Sequence, residues 1–304
     1  MNTTKKATLL AAIFTLALSL AACAPGLPND FNQAVANLQN GMSEYLVDNG
    51  QMKMMGEINS APALVDIDQN GTTDLVVGDA YGFIEVLIND SAVGFNIVDS
   101  YYLEGHDGPY YFCDEAVPLL IDADGITNDW EMLVGCGDGA VLYVDFNDLV
   151  FVPAYSWIGP ATSNGATVTV ASGYATTAVS DADLDGTPDL VVGAGDGAMA
   201  FYKNVGTATE PVIQMEGIGF DFGDRAAIAS ADLDGNGIDD YVVGNADGEI
   251  WACAGPTDNC ALVLQTEGAN AKPSVGDFNH DGLQDLVIGL SNGSIMAITA
   301  VAQP

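Results

Sequence analysis

Four nonapeptides along this chain place oxygen-bearing side chains at positions 1, 3, 5 and 9 around a glycine at position 6. They are Asp66, Asp68, Asn70 and Asp74 around Gly71; Asp181, Asp183, Asp185 and Asp189 around Gly186; Asp232, Asp234, Asn236 and Asp240 around Gly237; and Asp277, Asn279, Asp281 and Asp285 around Gly282. Three or four such groups in one tight turn repel one another unless a cation sits among them. Calcium suits this donor set, because it accepts roughly six to eight oxygens in flexible geometry, takes Asn for Asp, and uses a backbone carbonyl from position 7. A fifth stretch, Asp122 and Asp124 followed by Glu131, is one residue longer and offers a degenerate set of the same kind.

The loops open like EF-hands, but an EF-hand needs a bidentate Glu at position 12, opening a helix. Here that position holds Val77, Val192, Val243 and Ile288, inside β-branched runs that end in Gly78, Gly193, Gly244 and Gly289 and read as buried strands. Loop starts lie 56, 59, 51 and 45 residues apart, which also excludes a nonapeptide β-helix. Any one Asp-Gly is an ordinary hairpin turn, yet four copies in the same register argue for a repeated unit.

Each unit reads as strand, loop, strand, tight turn, strand, and then a weaker fourth strand. First strands are Ala61 to Val65, Ala116 to Ile121, Thr177 to Ser180, Ala226 to Ala231 and Pro273 to Gly276. Fourth strands are read at Phe95 to Val98, Val150 to Pro153, Val212 to Met215 and Ala261 to Leu264. A period of about fifty residues with four antiparallel strands is a propeller blade. The last unit lacks a fourth strand, and Gln51 to Ile58 has the right character to supply it and close the ring. The expectation is therefore an all-β, five-bladed propeller over residues 50–304.

Loop and strands together resemble the FG-GAP/VCBS repeat family, the calcium-loop propellers related to the integrin α head. The resemblance implies one structural calcium ion per loop between first and second strands, on one face of the disc, held by the residues named above. In the second unit it implies Asp122, Asp124 and Glu131 as ligands, with spacing that departs from the family pattern.

Lys5 and Lys6 precede an apolar run from Ala7 to Ala22, which reads as an export signal over residues 1–22. It ends in Leu20-Ala-Ala-Cys23, which resembles a bacterial lipobox and implies acylation of Cys23; an ordinary signal peptide is the alternative. Ala24 in place of an aspartate implies sorting to the outer membrane, with three acyl chains as anchor. Residues 23–49 form a spacer in which Phe31, Val35, Leu38, Met42 and Tyr45 recur at helical spacing, with a cap near Asn29 or Asp30.

Four cysteines remain, and an exported chain permits two disulfides in three pairings. Blade geometry favours Cys253 with Cys260 and Cys113 with Cys136. The second bond lies in the unit with the poorest loop, where it would substitute for a lost ion.

The chain carries 42 acids against 6 Lys and Arg, a formal charge of −36. Such an excess repels nucleic acid and anionic membrane surfaces, and it suits a salty surrounding that screens self-repulsion. Aromatic side chains gather in the longer connectors after the first and second units, where Tyr102, His106, Tyr110 and Trp157 are candidates for stacking on a sugar or anchoring a protein. Asp138, Asp196, Asp247 and Asn292 share one turn position, which hairpin chemistry alone explains. No Gly-x-Ser-x-Gly or His-Glu-x-x-His is present, and His280 lies inside a calcium loop. The function expected is a calcium-binding interaction module for a protein or glycan. A carbohydrate-active enzyme using an acid pair, or a structural subunit of an envelope assembly, are the alternatives.

Overall fold

The computed structural model describes residues 29–48, 51–52, 59–92, 95–105, 108–121, 130–147, 154–163, 166–206, 213–255 and 259–302. Twenty strands form five four-stranded antiparallel blades. Blade 1 runs Ala61–Val65, Asp74–Gly78, Ile84–Asn89, Ile97–Tyr102; blade 2 runs Val117–Ile121, Glu131–Gly135, Val141–Asn147, Ala154–Pro160. Blade 3 runs Thr176–Ser180, Asp189–Gly193, Ala198–Asn204, Ile213–Asp221; blade 4 runs Ala227–Ala231, Asp240–Gly244, Glu249–Cys253, Cys260–Gln265. Blade 5 contains Lys272–Gly276, Asp285–Gly289 and Ile295–Thr299. First strands of neighbouring blades pack on one another all the way round, including blade 5 on blade 1, so the disc is closed.

An N-terminal strand does complete blade 5, but it is Met42–Tyr45, pairing antiparallel with Ile295–Thr299, and not the Gln51 to Ile58 run. Of that run, Gln51–Met52 pairs with Val47–Asp48 in a small hairpin, and residues 53–58 lie outside the described residues. The propeller thus begins inside the segment read as spacer. Met42 and Tyr45 belong to this strand and not to the helix, which ends at Gln39. The helix Asn29–Gln39 buries Phe31, Val35 and Leu38 against Val263, Leu264, Ile298 and Ala300 of blades 4 and 5. Gln39 Nε2 also donates to the Leu262 carbonyl at 2.8 Å. The helix clamps the outer edge where the ring is joined, the place where a propeller has an edge to protect.

All five second strands are buried along their whole length, because each is covered on both faces by neighbouring blades. This explains why Leu-Val-Val-Gly reads as a continuous apolar run without alternation. The terminal glycine has a separate reason. A Cβ built on Gly78, Gly135, Gly193, Gly244 or Gly289 would lie 2.1–2.3 Å from the carbonyl oxygen of Ala116, Ala175, Ala226, Ala271 or Ser60, each just ahead of the next blade's first strand. Glycine is what allows consecutive blades to touch.

The fourth strands differ most from expectation. They lie at Ile97–Tyr102, Ala154–Pro160 and Ile213–Asp221, later or longer than read. Tyr101, Tyr102 and Trp157 are therefore strand residues and not connector residues. Outer strands are only half covered, so their weak apolar signal gives poor boundaries. Both expected disulfides are present: Cys253–Cys260 joins the third and fourth strands of blade 4, and Cys113–Cys136 ties the entry of blade 2 to the end of its second strand.

Candidate metal centres

The four nonapeptides fold alike. Position 4 is left-handed in each, at Gln69, Leu184, Gly235 and His280, with φ of 58°, 61°, 75° and 58°. Position 6 is left-handed too, at Gly71, Gly186, Gly237 and Gly282, with φ of 84–90°; a Cβ carries a penalty there. Only the second of these positions was legible in the residue types, because three different side chains tolerate the first.

The side chains then wrap inward. Position 1 accepts the position 6 amide: Gly71, Gly186, Gly237 and Gly282 N–H donate to Asp66, Asp181, Asp232 and Asp277 Oδ2 at 2.8–3.0 Å. Position 5 caps position 7, with the Thr72, Thr187, Ile238 and Leu283 amides donating to Asn70, Asp185, Asn236 and Asp281 Oδ1 at 2.7–3.0 Å. Carboxylate oxygens of Asp66, Asp68 and Asp74, of Asp181, Asp183 and Asp185, and of Asp232, Asp234 and Asp240 converge within 4.8 Å.

The ninth residue opens the second strand and anchors the loop. Asp74 accepts from the Ile67 and Asn89 amides at 2.9 and 2.8 Å, Asp189 from Ala182 and Asn204 at 3.1 and 2.7 Å, and Asp240 from Leu233 and Gly255 at 3.0 and 2.8 Å. Asp285 accepts from Ala300 at 2.8 Å. Burial pushes the Asp74, Asp240 and Asp285 carboxyls up to about 6 and raises Asp189, against the pull of these amides; neighbouring loop aspartates add to the rise. A divalent cation among the carboxylates would remove that penalty.

Fit to a cation can be judged from oxygens left over. Asp66 Oδ1 is buried and has no hydrogen-bond partner. It is at a ligand position, and the other oxygen of the same carboxylate is already committed to the Gly71 amide. Together with Asp or Asn at positions 3 and 5, the donors are all hard oxygens, which fits calcium or another hard divalent ion.

Blade 3 differs in one respect. Lys203, on its third strand, reaches the loop and contacts Asp183 and, at 2.9 Å, Asp185. The lysine neutralises two of the four donors and competes with a cation for them. In blade 2, Glu131 opens the second strand at the place of Asp74 and is buried. Its partners Asp122 and Asp124 lie outside the described residues.

Of the aromatic candidates, Tyr102 and Tyr110 have described side chains, and each packs against a different ring. Tyr102 is half-buried on the outer strand of blade 1, its ring edge-on to Phe83 at 6.3 Å. Tyr110 packs against Phe112 at 4.8 Å and onto the core between blades 1 and 2. Trp157 sits on the outer strand of blade 2, its side chain outside the described residues, as is His106. Tyr111, which was not singled out, is the exposed ring of this region, and its hydroxyl donates to Asp114 at 3.1 Å.

A ring of residues was not anticipated at all. Asn59, Glu115, Tyr174, Arg225 and Asn270 stand two residues before the five first strands, and each is left-handed, with φ of 52–60°. Their amides donate to Ser291, Ala80, Gly137, Gly195 and Ala246 carbonyls at 3.0 Å, which belong to the turns between second and third strands. The ring therefore lies on the face opposite the metal loops. No glycine marks these positions, so nothing in the residue types signalled the conformation.

No family model and no curated protein matches the sequence. Among solved structures, BBS1N in complex with ARL6DN, in crystals soaked with lead, is 12% identical over 87% of this chain and 74% of that one, with a TM-score of 0.41. The mercury-soaked crystal gives 12%, 86%, 73% and 0.39. The Tc holotoxin pore of Photorhabdus luminescens is 12% identical over 88% of this chain and 15% of that one, with a TM-score of 0.44.

Proposed function

We propose that this chain is a calcium-loaded β-propeller of the FG-GAP/VCBS type, serving as a rigid interaction module for a protein or glycan at a bacterial cell envelope. The observation that carries the calcium reading is the repetition of one loop geometry in four blades, with carboxylate oxygens converging in three of them and Asp66 Oδ1 buried without a partner. The ions are structural in this reading: their sites bridge first and second strands within a blade and leave the opposite face for a ligand. Acylation at Cys23 supplies the anchor, and the −36 charge keeps the disc from anionic surfaces.

Calcium binding is tested by calorimetric titration of the chelator-treated chain together with its melting curve. Binding of several calcium ions per chain and a melting temperature that climbs with calcium support the reading, since a ligand of the native state stabilises by mass action, about 2.7 kcal/mol at a hundredfold excess over Kd. Identical melting in calcium and in chelator would sink it. Incorporation of labelled palmitate, lost in Cys23→Ala, tests the anchor.

A further inference from the structure

Two rings of residues meet at the mouth of the central channel, on the face of the strand-two to strand-three turns. One is the ring of left-handed residues, Asn59, Glu115, Tyr174, Arg225 and Asn270. The other lies two residues later, where each first strand pairs with the glycine that ends its second strand: Ala61, Val117, Thr176, Ala227 and Lys272. Four of these five are short and uncharged. The fifth is one of only 6 cationic side chains in a chain with 42 acids. Lysine is seldom withdrawn from solvent unless it is paired, because an uncompensated buried charge is costly.

Lys272 is mostly buried, and its pairing is incomplete. Its ammonium donates to the Asn59 carbonyl at 3.4 Å and, among the described residues, has no carboxylate within ion-pair distance. Two of its three donors therefore have no partner among those residues. Glu115, the acid of this site, is engaged elsewhere: Asn59 Nδ2 donates to its Oε2 at 3.0 Å, and the Arg225 guanidinium pairs with the same oxygen at 3.6 Å while lying over the Tyr174 ring. Glu115 offsets one of the two cations, so the site keeps one positive charge. Burial and the nearby Arg225 both act against the Lys272 charge, and Glu115 only partly relieves it.

The cavity that Lys272 lines together with Glu115, Val117, Thr176, Arg225 and Ala227 is about 20 Å³. One water needs roughly 10–15 Å³ on the same measure, so the occupant is a single water-sized species. Val117 and Ala227 offer no polar side chain, and the Thr176 hydroxyl is spent, donating to the Ala226 carbonyl at 3.1 Å and accepting from the Ile228 amide at 3.2 Å. A water would take a hydrogen bond from Lys272 but leave its charge uncompensated. A monatomic anion takes the hydrogen bond and supplies the missing counter-charge. We propose that the channel mouth binds one halide ion, chloride in ordinary salt, held by the Lys272 ammonium with the Arg225 guanidinium beside it. Carboxylates, phosphate and sulfate are polyatomic and exceed the space. The acidic surface opposes an anion at long range, but that opposition is screened beyond about 8 Å at physiological ionic strength.

The full chain, with calcium supplied as its gluconate salt, is titrated with sodium chloride in place of sodium gluconate at one ionic strength. Chlorine NMR line width and the melting temperature are followed together. Excess line width that bromide displaces, with a melting temperature that rises with chloride and saturates as a single site, supports the proposal; acetate should do neither. Lys272→Met should weaken chloride about tenfold or more, the worth of a hydrogen bond to a charged group. Lys203→Met removes a cation from the blade 3 metal loop on the opposite face and should leave chloride binding as in the parent. Should Lys272→Met fail to fold, Glu115→Gln decides, because removing the acid beside the two cations must tighten chloride. Line width or melting indifferent to chloride, as expected of a bound water, overturns the proposal. So does acetate as effective as chloride, parent-like binding in folded Lys272→Met, an equal loss in Lys203→Met, or unchanged or weaker binding in Glu115→Gln.

Discussion

Replacing Gly244 with alanine tests whether the glycine that ends each second strand is a blade-to-blade contact. The added Cβ would stand 2.1 Å from the Ala271 carbonyl oxygen and 2.9 Å from Pro273 Cδ, both at the entry to blade 5. Carbon and oxygen that are not bonded do not approach within 3.0 Å, so blade 4 and blade 5 must separate by about 0.9 Å at this point. Neither neighbour can swing aside, since the nearest atom is backbone and the Ala271 amide is itself bonded to the Asn245 carbonyl at 3.0 Å. Overpacking of a buried contact costs about 1–3 kcal/mol, and this one sits at the upper end because backbone must move. For a chain of this size about 3 kcal/mol lowers Tm by roughly 6–12 °C. The control is Gly71→Ala, where nothing lies within 4 Å but φ is 86°, so only the left-handed penalty of about 1 kcal/mol applies. Urea and thermal melts of both variants in chelator, where calcium affinity of the Gly71 loop does not enter, give the comparison. A Gly244→Ala change of less than 1 kcal/mol, or one smaller than that of Gly71→Ala, would refute the packing argument.

Lys203→Met should raise the calcium affinity of the blade 3 loop, since the lysine occupies Asp183 and Asp185; in chelator its stability should change by less than about 1 kcal/mol, as for an exposed pair. A calcium titration unchanged from the parent would show that the lysine does not compete. Loss of Cys113–Cys136, with a separation of 23, should cost about 3.4 kcal/mol, against about 2.4 kcal/mol for Cys253–Cys260, with a separation of 7; denaturant melts of the two paired Cys→Ser variants check the order. Burial lowers Lys272 to about 8, with Glu115 opposing the shift and Arg225 adding to it. Between pH 8 and about 10.5 the unfolded chain keeps a proton that the native chain has released, so stability should rise with pH over that window. The rise should be smaller in Lys272→Met; equal pH profiles would contradict the assignment.

Much of this protein was legible in residue types because the signals were local and repeated. Oxygen donors at fixed offsets, a β-branched run closed by glycine, and an Asp-Gly or Asn-Gly turn recur in register, and they specify a blade without help from distant parts of the chain. Cys253–Cys260 was readable for the same reason, being seven residues apart across one hairpin. The outer strands were read less well: half-covered strands such as Ile97–Tyr102 have no continuous apolar run, so their ends slid and Tyr102 was placed in a connector. The closing strand was misplaced because Met42–Tyr45 is mostly exposed and carries little apolar pattern, while Met42 and Tyr45 fit the helical spacing of the residues before them.

By itself, then, the sequence determined the repeating unit, its loop chemistry and its hairpins, all of which depend on neighbours along the chain. Only the tertiary structure decided which segment closes the ring, because that choice is made by contacts between residues more than two hundred positions apart. It alone also brought Asn59, Glu115, Tyr174, Arg225, Asn270 and Lys272 to one channel mouth, since closure around a five-fold axis converges positions that no spacing rule connects.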